Sequence, residues 1–256
     1  MNGSKPVFID PRSISPKYTK HPGPYAIDKP ELRRIFPRIE LIEPKLEIGE
    51  HIKGDADPPS IRMLCTLVKY LGAERIVELG TFRGKTTHNI ALNLPEEGRV
   101  ITVDLPIELR PDFPGATFYS TDETYFQHEA NIGAVFRAAP TRDRIQQIFF
   151  DCTKSENQVR EALQGKSVDI FLVDAAHDYD TVRDTMQWIP NLLSPGGVIF
   201  FDDYNRAATH IGVMHYLMED AYKNGTVYYA YLPQGEQANM AFFLNLPECR
   251  GRNWRE

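Results

Sequence analysis

The chain has 256 residues, 42% hydrophobic and 25% charged, enough for one full core and an accessory segment. Its formal net charge is −6, so no basic excess exists to displace the counterions of a nucleic-acid backbone, although a small anionic ligand stays open. No apolar run approaches the ~20 residues that span a bilayer, and Met1-Asn2-Gly3-Ser4-Lys5 leads into polar, proline-rich sequence without the apolar stretch of a signal peptide, so neither nucleic acid nor membrane is an expected partner.

Residues 1–58 carry Pro6, Pro11, Pro16, Pro22, Pro24, Pro30, Pro37 and Pro44 among aromatics and charges. That is too apolar for plain disorder and too broken for a long helix. The expectation is an arm with one short helix near Glu31–Phe36, either packed as a lid or trailing as a partly ordered tail. From residue 59 to 247 the pattern is regular, and 248–256 is a tail. Ser60 follows two prolines and can cap a helix in which Ile61, Leu64, Cys65, Val68 and Leu71 repeat at helical spacing, ended by Gly72. Strands are predicted at Arg75–Leu79, Arg99–Leu105, Arg144–Phe150, Val168–Val173 and Val198–Phe201. Helices are predicted at Lys85–Leu94, Thr121–Ala139, Ser155–Leu163, Asp178–Leu193 (kinked or ended near Pro190) and Arg206–Lys223. Two apolar runs, Val227–Leu232 and Met240–Leu246, are joined too closely to be parallel. Five strand–helix units followed by a hairpin give an α/β fold: a doubly wound, Rossmann-like sheet covered on both faces.

The sharpest local feature is Val77-Glu78-Leu79-Gly80-Thr81-Phe82-Arg83-Gly84-Lys85-Thr86-Thr87: strand, glycine turn, helix start. Such a turn brings backbone N–H groups close to a ligand. A P-loop needs four residues between its first glycine and Gly-Lys-Ser/Thr. Gly80 leaves only Thr81, Phe82 and Arg83, a near miss that keeps a P-loop NTPase as the main rival. The dinucleotide fingerprint lacks its middle glycine.

Glu78-Leu79-Gly80-Thr81-Phe82-Arg83-Gly84 resembles the first signature of class I S-adenosylmethionine-dependent methyltransferases. The longer run Val168 to Tyr179, with Trp188, Pro190, Leu193, Pro195-Gly196-Gly197 and Asp203-Tyr204, is similar to the bacterial branch containing sugar and macrolide O-methyltransferases. The resemblance covers about residues 60–205 and implies a sheet of order 3-2-1-4-5-7-6 with the last strand antiparallel. It implies S-adenosylmethionine held by Glu78, Gly80, Thr81, Gly84 and Thr86. Asp104 closes the second strand about twenty residues after the turn, where a carboxylate can accept bonds from both ribose hydroxyls, with a solvated strand-end aspartate as the alternative. Asp151 or the Cys152 backbone would meet the adenine, with a helix-capping role for Asp151 as the alternative.

In that strand order Asp174, Asp202 and Asp203 end neighbouring strands and converge beside the glycine turn. Three carboxylates so close repel unless a cation, proton or donor intervenes, and an all-oxygen set suits Mg²⁺. The metal-dependent catechol-type O-methyltransferases place magnesium ligands at these positions, which makes Asp174, Asp202 and Asp203 the candidate ligands. The alternative is a helix-capping role without metal. Many members of the sugar and macrolide branch carry histidine where Asp202 stands. His177, three residues after Asp174, lies where related macrolide enzymes place a candidate base, or else only bonds the helix start. Asp174 and His177 are thus the catalytic candidates. Cys65, Cys152 and Cys249 are far apart, form no zinc pattern and fit a reducing cytoplasm.

The expected reaction is methylation of a hydroxyl on a small-molecule acceptor, a sugar, phenol or natural product. Tyr228, Tyr229 and Tyr231, the helix from Arg206 and the N-terminal arm are candidate acceptor walls, although an aromatic cluster is more often core. A non-catalytic cofactor-binding domain is the third reading, and the acidic surface and arm permit a homodimer.

Overall fold

The computed structural model describes residues 25–52, 54–112, 128–204, 212–231 and 240–252. Strand β1 (Tyr25–Ile27) leads into helix α1 (Lys29–Ile35). A capping box fixes the helix start: the Asp28 carboxylate accepts the Glu31 N–H at 3.0 Å, and the Glu31 carboxylate accepts the Asp28 N–H at 3.4 Å. Leu32, Ile35 and Phe36 enter the main core. From residue 25 onward the arm therefore packs on the domain. What was expected of residues 1–24 lies outside the described residues.

Helix α2 (Pro58–Leu71) begins two residues before Ser60, with Asp57 at the cap position. Proline suits a first turn because the N–H groups there have no helical partner. Strand β2 (Arg75–Leu79), helix α3 (Lys85–Asn93) and strand β3 (Arg99–Asp104) follow the expected pattern closely. The helix expected over Thr121–Ala139 is described only from residue 128, and there it is a 3₁₀ turn and one short helix, α4 (Ala134–Arg137). Gly133 breaks it with φ +76°. Next come β4 (Ile145–Phe149), α5 (Glu156–Leu163), β5 (Val168–Val173) and α6 (Tyr179–Thr185). Helix α6 stops well short of Leu193 because Ile189-Pro190-Asn191 forms a 3₁₀ turn, where a proline fits and a longer α-helix does not. Strand β6 (Leu193–Phe201) begins earlier than expected. The Gly196 N–H bonds the Asn245 carbonyl at 2.9 Å and the Asn245 N–H bonds Gly197 at 2.8 Å, drawing the Pro-Gly-Gly turn into the sheet. Helix α7 (Gly212–Asn224), β7 (Tyr228–Tyr231) and β8 (Met240–Leu244) complete the fold; of the expected Arg206 helix, residues 206–211 lie outside the described residues.

One eight-stranded sheet has the order β1-β7-β8-β6-β5-β2-β3-β4. Counted from β2 and leaving out β1, the other seven strands run 3-2-1-4-5-7-6, and β8 is antiparallel to both neighbours. The difference in detail is β1, which the sequence did not signal and which pairs in parallel with β7 at the edge. Parallel strands covered on both faces must be apolar throughout. Val77, Val100, Ile170, Phe171, Val198 and Phe200 are accordingly fully buried. Each such side chain contributes about 1.5–3 kcal/mol through burial. Tyr228 and Tyr229 are buried too: Tyr228 packs on Phe201 and Phe243, and Tyr229 stacks on Phe242 at 5.2 Å. They are core, not acceptor walls. No described helix is long and apolar enough to cross a membrane.

Candidate active site

The parallel strands β2, β3, β5 and β6 end at one rim. At that rim β2 passes into Gly80, whose φ is +103°. A Cβ on Gly80 would lie 2.0 Å from the Asp174 carbonyl oxygen, so only glycine lets the turn and the end of β5 meet. The pair is tied by the Asp174 N–H bonding Leu79 at 2.8 Å. Gly84 precedes α3 and bonds Thr81 O through its N–H at 2.8 Å. Thr86 is buried in the first turn of α3.

Glu78 lies just below the turn and is 1% exposed. Its Oε2 accepts the Thr102 hydroxyl at 2.6 Å and the Thr87 hydroxyl, while the Thr81 hydroxyl meets that of Thr102 at 2.7 Å. Its buried Oε1 has no hydrogen-bond partner. Burial pushes the Glu78 carboxyl up to about 7, against the pull of the two threonine hydroxyls. Thr87 and Thr102 were not singled out in the sequence, because bonds across neighbouring strands and a helix leave no spacing to read.

Asp104 Oδ2 accepts the N–H groups of Thr81 at 3.0 Å and Phe82 at 2.9 Å, and Oδ1 accepts Leu105 N–H at 2.7 Å. The acid expected to face a ribose thus also shapes the glycine turn. Asp151 Oδ1 accepts the Thr153 N–H at 3.0 Å and hydroxyl at 2.7 Å, and pairs with Lys154 at 3.0 Å. Asp151 thereby caps the short 3₁₀ turn Cys152–Lys154, not the helix α5 that follows, whose N-cap residue Ser155 makes no side-chain capping bond and donates its hydroxyl to Cys152 O at 3.1 Å. Burial pushes the Cys152 thiol up to about 12, so it is no nucleophile near neutral pH.

The acid centre sits across from the turn. His177 Nε2 is 3.1 Å from Asp174 Oδ1, and its Nδ1 is 3.7 Å from Asp203 Oδ2. Asp174, His177 and Asp202 each offer one ligand atom within 4.8 Å of the others. The expected convergence therefore occurs with a different membership. Asp203, with φ +49°, lies beside the imidazole, and His177 takes its place among the clustered ligand atoms. His177 is itself left-handed, at φ +57°. Two non-glycine residues in that region store about 1–3 kcal/mol each, a cost that the surrounding structure must offset. Asp202 is 6% exposed and its Oδ1 has no hydrogen-bond partner. Burial holds its carboxyl well above the usual range, and the nearby charges of Asp174 and Asp203 add to this.

The N-terminal segment closes one side. Asp55 pairs with Arg83 and, at 3.2 Å, with Lys85, while the Glu50 carbonyl accepts from both cations. Burial pushes the Asp55 carboxyl up, but bonds from Arg83, Ile52 and Lys85 outweigh it and leave it below the usual range. Lys85 is 4% exposed and engaged in this clamp, which removes the cation a P-loop would present to phosphate. His88 is also buried, bonding Thr141 at 2.8 Å and Glu47 at 2.9 Å, as a tie between elements. His21 and His210 lie outside the described residues.

A sequence profile of the family described as "Methyltransferase domain" matches residues 77–204, half of the chain. No curated protein sequence matches the chain. Among solved structures, an O-methyltransferase from Bacillus cereus in complex with SAH is similar at TM-score 0.56 and 19% identity, covering 75% of this chain and 83% of that one. The cofactor-bound Rv0187 from MTB gives 0.54 and 18%, covering 76% and 83%. The O-methyltransferase TomG from Streptomyces achromogenes, involved in tomaymycin synthesis and in complex with SAM, gives 0.50 and 18%, covering 74% and 81%. At such identities the likeness establishes the fold.

Proposed function

The chain belongs to the methyltransferase-domain family, and on that premise we propose that it is an S-adenosylmethionine-dependent O-methyltransferase acting on a small-molecule hydroxyl with help from Mg²⁺. The observation that carries this reading is the contact of Gly80 with Asp174, which sets the glycine turn directly against the pair Asp174–His177. The SAH and SAM held by the similar Bacillus and Streptomyces structures support the choice of cofactor.

The residues fit both groups. The unpartnered, buried Glu78 Oε1 and the close-approach glycine suit a polar ligand end lying against the turn. The unpartnered Asp202 Oδ1 and its oxygen and imidazole neighbours suit a small hard cation. Glu78, Gly80, Thr81, Gly84 and Thr86 would hold the methionine end, and Asp104, Asp151 and Cys152 the nucleoside end. Asp174 and Asp202, with Asp203 behind, would hold Mg²⁺. When bound, these groups supply an activated methyl and a Lewis acid that eases ionisation of the acceptor hydroxyl.

The protein's own part is alignment and proton handling. Asp174 orients the His177 ring through Nε2, and Asp203 faces Nδ1, so carboxylates on both sides balance the charge gained when the imidazole takes the acceptor proton. Holding hydroxyl and methyl in line is worth up to ~7–11 kcal/mol in well-ordered sites. A small-molecule acceptor and a cytoplasmic location belong to this proposal, as do a homodimer and domain limits at 58 and 247.

Calorimetric titration with S-adenosylhomocysteine and with ATP, each with and without Mg²⁺, tests the reading. Binding of the homocysteine compound without ATP binding is the expected result. The reverse would assign the glycine turn to nucleotide hydrolysis.

A further inference from the structure

At the rim opposite the glycine turn, where β2, β3 and β4 begin, three arginines stand in one row. Arg75 pairs in register with Arg99 across β2 and β3. Arg144 precedes Ile145, whose partner is Val100, so it comes level with Arg99 at the start of β4. Neighbouring strands lie ~4.8 Å apart, so the row sets three like charges side by side. All three line a cleft of about 500 Å³, together with Lys166 beyond the end of α5. That volume suits a small ligand.

Arg75 is neutralised: it bonds the Glu74 carboxylate at 2.9 Å and lies 3.9 Å from that of Asp169. Arg99 and Arg144 form no ion pair with another described residue. Arg99 Nη1 donates to the carbonyls of Gly98 at 2.8 Å and Glu96 at 3.3 Å. Arg144 donates to the Ala91 carbonyl at 3.0 Å and to the Pro95 carbonyl, and its buried Nε has no hydrogen-bond partner. Burial draws the Arg144 pKa below its ordinary range and the Arg99 charge adds to this, with Glu96 opposing. A carbonyl oxygen satisfies a donor but brings no countercharge. Two adjacent guanidiniums in that state attract an anion, and their planar forks match the oxygens of a phosphate. Two exposed acids, Glu97 and Asp143, line the same cleft. They repel a bare anion but accept from hydroxyl groups, so the lining favours a ligand that carries both.

We propose that this cleft is a second small-molecule site, for a phosphate monoester bearing hydroxyl groups, with Arg99, Arg144 and Lys166 serving the phosphate and Glu97 and Asp143 the hydroxyls. The cleft is separate from the place of the cofactor. It opens where β2 starts, whereas the glycine turn follows where β2 ends, and Arg144 bonds Ala91 and Pro95 at the far end of α3 from Gly84. The inference therefore stands independently of the methyltransferase reading.

Calorimetric titration of the full chain with ribose 5-phosphate, inorganic phosphate and ribose, each with and without excess S-adenosylhomocysteine, is the test. Ribose 5-phosphate should bind saturably in both conditions and more tightly than inorganic phosphate, and ribose should not bind. Arg99 and Lys166 are exposed, so both can be changed with little risk to folding. Arg99→Gln should weaken ribose 5-phosphate about tenfold or more, the worth of a charged hydrogen bond, and Lys166→Gln should cause a smaller loss. Arg99→Lys, which keeps the charge and loses the fork, should recover part of the affinity. Melting temperatures without ligand should match wild type. Absence of saturable binding by wild type would overturn the inference, as would equal binding by wild type, Arg99→Gln and Lys166→Gln. Binding abolished by S-adenosylhomocysteine would place the ligand at the glycine turn and overturn it too. Inorganic phosphate binding as tightly as the ester would overturn the ligand class named for the cleft.

Discussion

The backbone of Gly80 lies so close to Asp174 that a single methyl on Gly80 would stand 2.0 Å from the Asp174 carbonyl oxygen. The glycine turn and the acid centre are therefore one rigid unit. Gly80→Ala meets both a backbone clash, which no side-chain rotation relieves, and an unfavourable φ of +103°. We expect a stability loss of about 3 kcal/mol or more, which for a chain of this size lowers the melting temperature by on the order of 10 °C. A thermal melt within a degree or two of wild type would show that the turn and β5 do not touch as described.

His177 lies 3.1 Å from Asp174 and could be either base or ligand, but a nitrogen bound to metal cannot take a proton. The base role predicts that His177→Ala slows methyl transfer in a single turnover by about 10²–10⁴-fold and leaves Mg²⁺ affinity nearly unchanged. A parallel loss of Mg²⁺ binding would move His177 into the ligand set. Turnover at the wild-type rate would remove it from both roles.

The contrast between what the sequence revealed here and what it hid has a physical basis. The strands were legible because a parallel sheet covered on both faces needs uninterrupted apolar runs such as Val168–Val173. The meeting of Asp174 and Asp202 was legible because strand order alone makes their strands neighbours. Asp203 beside the imidazole was not, since a left-handed backbone at a non-glycine residue has no sequence mark. Strand β1 and the Asp55 clamp were hidden for another reason. Both join the N-terminal segment to residues far along the chain, Tyr229 and Arg83, and periodicity reports only local neighbours. Tyr228 and Tyr229 looked like acceptor walls only while the burial of both sheet faces was unknown.

The Asp55 clamp yields a prediction that also tests the rival use of Lys85. Asp55→Asn leaves Lys85, 4% exposed, without its countercharge. Breaking a buried pair from one side costs about 3–5 kcal/mol. Lys85→Met removes the charge that would be stranded and leaves Asp55 paired with Arg83, so the cost should be smaller, about 1–2 kcal/mol. Urea unfolding of both variants checks the order. If Lys85→Met is the worse of the two, or abolishes an ATP affinity present in wild type, the clamp is not the main task of Lys85.

Glu78 gives the chain a pH signature separate from the acid centre. Its folded carboxyl sits at about 7 because burial disfavours the charge, against an ordinary value of 4.5. Between those values the folded protein keeps the proton and the unfolded chain has released it. Fewer protons on the unfolded state means stability falls as pH rises. The contribution is whole below the unfolded value and is lost as pH passes through about 7. At about 1.4 kcal/mol per pK unit the loss is on the order of 3 kcal/mol. Glu78→Gln keeps the size and the hydrogen-bonding capacity toward Thr87 and Thr102 without the charge. Its stability should match wild type near pH 5 and exceed it by roughly 2–3 kcal/mol at pH 8 without cofactor. Parallel stability curves for the two proteins from pH 5 to 8 would mean that Glu78 is ionised in the folded state throughout. Its burial beneath the glycine turn would then need a cation or a donor beyond the two threonine hydroxyls.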